Sequence, residues 1–173
     1  SQHHNEKRNR FKVRYRNYST TNQSFFEIKT KNNKNRTIKN RIPVETINTI
    51  IGNKEQKLIT KMTNISSEEL KHKLTVSFSR ITLADFNYNE RLTIDTDLVV
   101  KNNITDKDFN NLVIAEIKQD RYNPKSPFIQ ILRNMKIQEM RFSKYCIGLL
   151  HVNDKIKYNR FKPKLLQINK IVN

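Results

Sequence analysis

The sequence predicts an α+β protein built on antiparallel strands, and three observations predict it. Five segments alternate charged side chains with apolar or β-branched ones, which is the period of a half-buried strand. Those segments lack the continuous apolar runs of parallel strands buried on both faces. Short stretches of helical spacing lie between and after them, so a few helices flank the sheet.

Residues 1–10 are polar and basic, and the first strand pattern follows at once, as expected of a chain with a further segment ahead of it. In Lys12-Val13-Arg14-Tyr15-Arg16, alternation puts Val13 and Tyr15 on one face and Lys12, Arg14 and Arg16 on the other. In residues 25–31, Phe26, Ile28 and Thr30 oppose Glu27, Lys29 and Lys31; in residues 37–42, Ile38 and Ile42 oppose Lys39 and Arg41. The stretch from Asn32 to Asn35 reads as the hairpin turn between these two strands, and Pro43 ends or edges the second of them. From Glu45 to Lys61, Ile47, Ile50, Ile51, Leu58 and Ile59 give an imperfect helical pattern interrupted at Gly52-Asn53, predicting one or two short helices. Ser66-Ser67-Glu68-Glu69-Leu70 resembles a helix start. Residues 74–83 read as a strand carrying Arg80, and Asn87 to Glu90 as a turn. In the next strand Leu92, Ile94 and Leu98 face away from Arg91, Asp95 and Asp97; in residues 112–118, Val113, Ala115 and Ile117 face away from Ile114, Glu116 and Lys118. Asn123-Pro124 and Ser126-Pro127 break the chain. Ile129, Leu132, Met135 or Lys136, and Met140 predict a helix of about three turns from Phe128. Residues 145–152 are expected to form a last strand. There is no internal repeat.

The 173 residues carry 34 Lys+Arg against 16 Asp+Glu, a net charge of +18. Such a balance suits a polyanionic partner, and the length suits one domain of ordinary size, residues 1–173. Because the charge alternates with apolar positions, it belongs to folded strands rather than to a disordered basic tail. If the charged faces point the same way, the sheet either exposes a basic plane or curls until the charges line a hydrated bore, and a barrel also removes exposed edges.

Gly52 and Gly148 are the only glycines, which excludes a phosphate-cradling Gly-rich loop and a dinucleotide fingerprint. No apolar run approaches the roughly 20 residues that span a bilayer. The single cysteine, Cys146, makes no intrachain disulfide, in keeping with a reducing compartment. The histidines His3, His4, His72 and His151 lack zinc-ligand spacing with Cys146, and no Ser-His-Asp or Cys-His signature occurs. What remains is a set of strand-borne cations and a carboxylate, Glu116, two residues from Lys118. Phosphoryl transfer asks for this inventory: cations that hold and neutralise phosphate oxygens, and a hard oxygen ligand for a divalent ion. A nucleic-acid groove would add exposed aromatics, whereas Tyr15, Phe25 and Phe26 fall within strands where a core role is expected.

The ordered segments FKVRYRNY, FFEIKTK, TIKNRI, SRITLADF, RLTIDTDL, LVIAEIKQ and FSKYC resemble the polyphosphate polymerase (VTC, vacuolar transporter chaperone) domain of the triphosphate tunnel metalloenzyme, or CYTH-like, superfamily. The resemblance runs from about residue 3 to residue 150. It implies an antiparallel β-barrel whose tunnel is lined by basic residues, and transfer of the terminal phosphate of ATP to a growing polyphosphate chain with Mn²⁺ or Mg²⁺. Carried over by residue, it assigns the catalytic cations to Arg14, Arg16, Lys29, Lys39, Arg80, Arg91 and Lys144. Further phosphate contacts fall to Lys12, Lys31, Arg41 and Lys118, and the metal ligand is Glu116. It also implies a strand-bearing segment ahead of this chain that adds basic residues to the tunnel. The implied partners are ATP and polyphosphate or triphosphate, with no specific nucleic acid, and the implied setting is cytoplasmic, at the cytosolic face of a membrane where a membrane protein takes part. Hydrolysis of triphosphate and non-catalytic binding of polyphosphate or inositol phosphates are the other readings of the same tunnel.

Overall fold

In the computed structural model, the described residues are 10–172 apart from Asn35, Thr49, Phe86, Tyr88 and Asp154. His3 and His4 therefore lie outside them, as does part of each turn expected at residues 32–35 and 87–90. The chain divides into two compact units, one ending at His72 and the other starting at Lys73. The protein is α+β, and its strands pair antiparallel throughout.

The first unit is a three-stranded meander of β1 (Arg10–Tyr18), β2 (Gln23–Lys31) and β3 (Thr37–Val44), in that spatial order, followed by helix α1 (Asn53–Met62). The hairpin after β2 is closed by Asn32, whose backbone N–H donates to the Arg36 carbonyl (3.1 Å) and whose Oδ1 accepts from Arg36 N (2.9 Å). Pro43 sits inside β3, which it can do because β3 is an edge strand. Phe26, Ile28 and Ile59 form the buried core of this unit, with Val13, Tyr15, Ile42, Leu58 and Met62 packed against them. Burying Phe26 and Ile28 completely is worth about 1.5–3 kcal/mol each, enough to fix the register of β2. Gly52 precedes α1 as its N-cap, so the interruption expected at Gly52-Asn53 is the start of the helix. The helix start expected at Ser66 is a capping box on a single 3₁₀ turn, Ser67–Glu69.

The second unit is organised around the long strand β5 (Glu90–Lys101). One edge of β5 pairs with β4 (Thr75–Asp85); the other pairs with β6 (Asp106–Phe109) near its end and β7 (Ile114–Gln119) near its start. A register shift falls between Ser77 and Ser79, where Asp97 adopts a φ of 52°. Two residues of β5 thus oppose one of β4, which makes a bulge and reverses the alternation beyond it. Leu98 was expected to face with Leu92 and Ile94 and away from Asp95. The bulge puts it instead on the side of Asp95, in a core with Val100, Phe109, Leu112, Ile147, Val152 and Ile168.

Three helices follow the sheet: α2 (Pro127–Asn134), α3 (Lys144–His151) and α4 (Lys162–Val172). Helix α2 is shorter than the three turns expected, so Met140 is not on it. It stops because Lys136 takes a left-handed conformation (φ 57°), with Lys136 N donating to the Arg133 carbonyl and Ile137 N to the Leu132 carbonyl. This double bond pattern satisfies the last carbonyls of a helix end. Residues 145–151 lie in α3, not in a strand, and Val152 is its C-cap. Ser143 caps the helix through Oγ, which accepts from Cys146 N (3.3 Å), and the run Cys146, Ile147, Gly148 and Leu149 is buried all round. A run buried on every side has no period with which to tell helix from strand. Val113, expected in the last paired strand, precedes β7 and is exposed. Strand β6 and helix α4 had no expectation attached to them.

Candidate functional site: two cationic strand faces

In antiparallel pairing, residues directly opposite one another share a face. The register of β1, β2 and β3 therefore sorts the charged face of the first unit into cross-strand rows. Arg10, Lys31 and Thr37 make one row; Lys12, Lys29 and Lys39 the next; Arg14, Glu27 and Arg41 the third; Arg16, Phe25 and Pro43 the fourth. All the cations expected on these strands, Lys12, Arg14, Arg16, Lys29, Lys31, Lys39 and Arg41, lie on this one face.

At its centre Glu27 is almost completely buried, 1 % exposed, beneath its cationic neighbours. Arg14 donates from Nε (2.8 Å) and Nη2 (2.6 Å) to Glu27 Oε2. Arg16 Nε lies 3.8 Å from the same oxygen, and Lys39 Nζ lies 3.6 Å from Oε1, which accepts no hydrogen bond. Burial by itself pushes the Glu27 carboxyl up. The Arg14 hydrogen bonds, with the charges of Arg14, Arg16 and Lys39, outweigh it and hold the group below the ordinary carboxylate range. Lys29 is depressed, first by burial and then by the positive fields of Arg14, Lys39 and Arg16, which Glu27 opposes. Three lysines abreast repel one another, and an anion laid over the row would relieve that repulsion.

In the second unit the rows of β4, β5 and β7 run Arg80, Asp95 and Ile114; Thr82, Thr93 and Glu116; Ala84, Arg91 and Lys118. Here too a carboxylate, Asp95, is buried (1 % exposed) under cations. Arg80 grips it with Nε on Oδ1 (2.5 Å) and Nη2 on Oδ2 (2.7 Å), and Lys144 donates to Oδ2. Lys144 reaches Asp95 because it opens α3, one residue after the Ser143 cap. Burial again pushes the carboxyl up, and the hydrogen bonds and charges of Arg80 and Lys144 bring it below its ordinary value. Arg80 and Lys144 also stand over the Phe78 ring, 5.0 and 4.7 Å from its centroid.

Glu116 is about half exposed, with Lys118 Nζ 3.3 Å from its Oε1. Opposite it, the buried Thr93 hydroxyl has no hydrogen-bond partner. Among the described residues no group of three or more His, Cys, Asp or Glu side chains is placed to hold a metal ion. Glu116 is therefore a single accessible carboxylate, with Thr93 and Thr82 in its cross-strand row. A carboxylate of this kind is a hard oxygen ligand suited to Mg²⁺ or Mn²⁺.

Glu27 and Asp95 were not foreseen as site residues. Alternation places both among the cations, and that is the one signal the sequence offered for them. Phe25 was expected in the core; its register places it on the charged face, with the Arg41 guanidinium 4.5 Å from its ring centroid, while Phe26 takes the core position. Cys146 is buried in α3, and His151 bonds through Nδ1 to the Ile147 carbonyl oxygen (2.9 Å) and packs edge-on to Phe109. Neither takes part in the charged faces.

Two antiparallel strand faces, each with a buried carboxylate paired to cations, define an α+β protein with strongly cationic faces. The chain belongs to the VTC domain family, which matches residues 1–153. Such a domain is consistent with a polyphosphate-related function. No curated protein and no solved structure matches the chain. Among the described residues no helix is long and apolar enough to cross a membrane.

Proposed function

We propose that residues 1–173 act as one tunnel domain that transfers the γ-phosphoryl group of ATP to a growing polyphosphate chain. The observation that carries this reading is the charged face of β1, β2 and β3, where eight cations share a face with one buried carboxylate within the segment that matches the VTC family. A closed barrel is part of the proposal, as is a cytoplasmic setting beside a membrane partner.

In the proposed reaction, an oxygen of the chain's terminal phosphate bonds to the γ-phosphorus. The bond from that phosphorus to the bridging oxygen breaks, and ADP leaves with the electron pair. Little covalent chemistry is asked of the protein; position and charge do the catalysis. Arg14 and Arg16 each keep donors available beyond Glu27 and hold the phosphates in line. Lys12, Lys29, Lys31, Lys39 and Arg41 neutralise successive phosphates. Arg80, Arg91, Lys118 and Lys144 do the same on the second face. Glu116 would hold Mn²⁺ or Mg²⁺, which when bound would offset the charge that develops on the phosphates.

The test is incubation of the chain with ATP and Mn²⁺, with chain growth read on a gel. Polyphosphate is expected, and Arg14→Ala or Arg91→Ala should slow its formation roughly 10²-fold. Glu116→Gln should abolish the metal-dependent rate and keep the binding of tripolyphosphate. Orthophosphate release without chain growth would replace synthesis by hydrolysis. Tight, salt-sensitive binding with no turnover, unaffected by Glu116→Gln, would make the domain a binding module. Failure to bind tripolyphosphate at all would end the reading.

A further inference from the structure

The charged face of the first unit is not uniform along its length. Toward the Arg10 end its rows carry lysines and arginines, but the opposite end carries two aromatic rings among the cations. Phe25 lies opposite Arg16, and Tyr18 lies two residues beyond Arg16 on the same face of β1. The two rings meet edge to face, with centroids 6.1 Å apart and planes at 78°. The Arg41 guanidinium sits 4.5 Å from the Phe25 centroid, and that of Arg16 sits 5.5 Å from the Tyr18 centroid. Arg16 Nη1 also donates to Tyr18 Oη (3.0 Å), and Tyr18 is 37 % exposed.

Phosphate has no use for a π-face, because it is held by charge and hydrogen bonds. A planar base does: it stacks on exposed rings and on guanidinium planes with little regard to its identity. The row of Phe25 and the row of Lys29 are four residues apart on β2, about 13 Å at strand rise. An extended nucleoside triphosphate spans a comparable length from base to terminal phosphate.

We propose that Tyr18 and Phe25 form a stacking platform for the base of a nucleoside triphosphate whose phosphates run past Arg16 and Arg41 toward the lysine row. This rests on the reading of the face as a phosphate-chain site and adds to it the end from which the nucleotide is held. The platform explains how ATP could be distinguished from a bare phosphate chain on a face otherwise blind to the difference. Stacking tolerates both purines and pyrimidines, so the class it selects is nucleotides with a polyphosphate tail.

The experiment measures the binding of ATP and of tripolyphosphate to the full chain and to the double variant Tyr18→Leu, Phe25→Leu. ATP should bind about five- to thirty-fold more weakly to the variant, while tripolyphosphate binds as before. The ring-conserving pair Tyr18→Phe, Phe25→Tyr should keep ATP near its original affinity. In the unsubstituted chain, magnetisation transferred from the protein should reach the base protons of ATP, and the transfer should disappear in the leucine variant. A parallel loss of both ligands would mean that the rings merely prop the arginines, and would overturn the inference. Unchanged ATP binding would overturn it as well. Retained tripolyphosphate binding in these two experiments keeps the phosphate-site reading standing alone; loss of tripolyphosphate binding by the unsubstituted chain would remove both.

Discussion

Glu27 decides how the guanidinium groups around it behave. An arginine left alone on an exposed strand samples many rotamers, and ordering it costs entropy that a ligand must overcome. The Glu27 carboxylate removes that freedom before any ligand arrives by fixing Arg14 through two donors. The arrangement also makes stability depend on pH. A carboxyl whose value is lowered on folding contributes fully above the ordinary carboxylate range and loses that contribution as the pH falls through the depressed value. Glu27→Gln should therefore cost about 2 kcal/mol at neutral pH in urea unfolding, because the flanking cations lose their partner. The gap between variant and parent should close in acid, where the parent's own carboxyl is protonated. A constant gap across that range would mean that shape rather than charge is what Glu27 supplies. Alternation in the sequence assigned Glu27 to the charged face, but no sequence pattern reports how deeply neighbouring side chains cover a residue.

At the scale of the strands, the lysine row of Lys12, Lys29 and Lys39 is a site built against its own stability. The depressed Lys29 means that folding with this group charged carries a cost, fully present below the depressed value and relieved as the pH rises through it toward the ordinary lysine value. Lys29→Met should consequently leave the protein as stable as before or more stable, by about 0.5–1 kcal/mol in thermal unfolding at neutral pH. Its affinity for tripolyphosphate should fall about tenfold in the same preparation. Loss of both together would show that Lys29 serves the fold.

The strands were legible because charged and apolar residues alternate along them, and in β2 and β5 that alternation ends in the buried Phe26, Ile28, Leu92 and Leu98. The failures have separate physical causes. Asp97 reversed the alternation of β5 from a single left-handed residue, which periodicity cannot anticipate. Residues 145–152 carried no polar face to reveal a helix, and what seats α3 closely is the missing side chain of Gly148: an added Cβ would come within 2.6 Å of Val100 Cγ1. The tether of Glu90, which accepts from Gln119 Nε2 (2.6 Å) and from Ser126 Oγ (2.9 Å) at the start of α2, joins residues 36 apart in sequence and left no local trace.

For the whole molecule, the question is whether +18 acts as a diffuse field or as shaped faces. A diffuse field attracts any polyanion, and its pull is screened within about 10 Å at 0.1 M salt. Duplex DNA bound in that way weakens steeply as salt rises, because each neutralised phosphate releases counterions that salt drives back. The faces described here differ in kind. Arg14 and Arg80 are gripped by buried carboxylates, and Lys12, Lys29 and Lys39 stand in one row, the first two partly shielded from water, so their attraction is screened less than that of fully exposed charge. Competition between a short polyphosphate and a DNA duplex, followed as salt is raised, separates the two cases. DNA should be displaced first, and the preference for polyphosphate should widen about tenfold between 0.05 and 0.2 M salt. If the two affinities fell in step, the rows would be an incidental pattern on a generally basic chain, and the site would have no claim to a phosphate chain in particular.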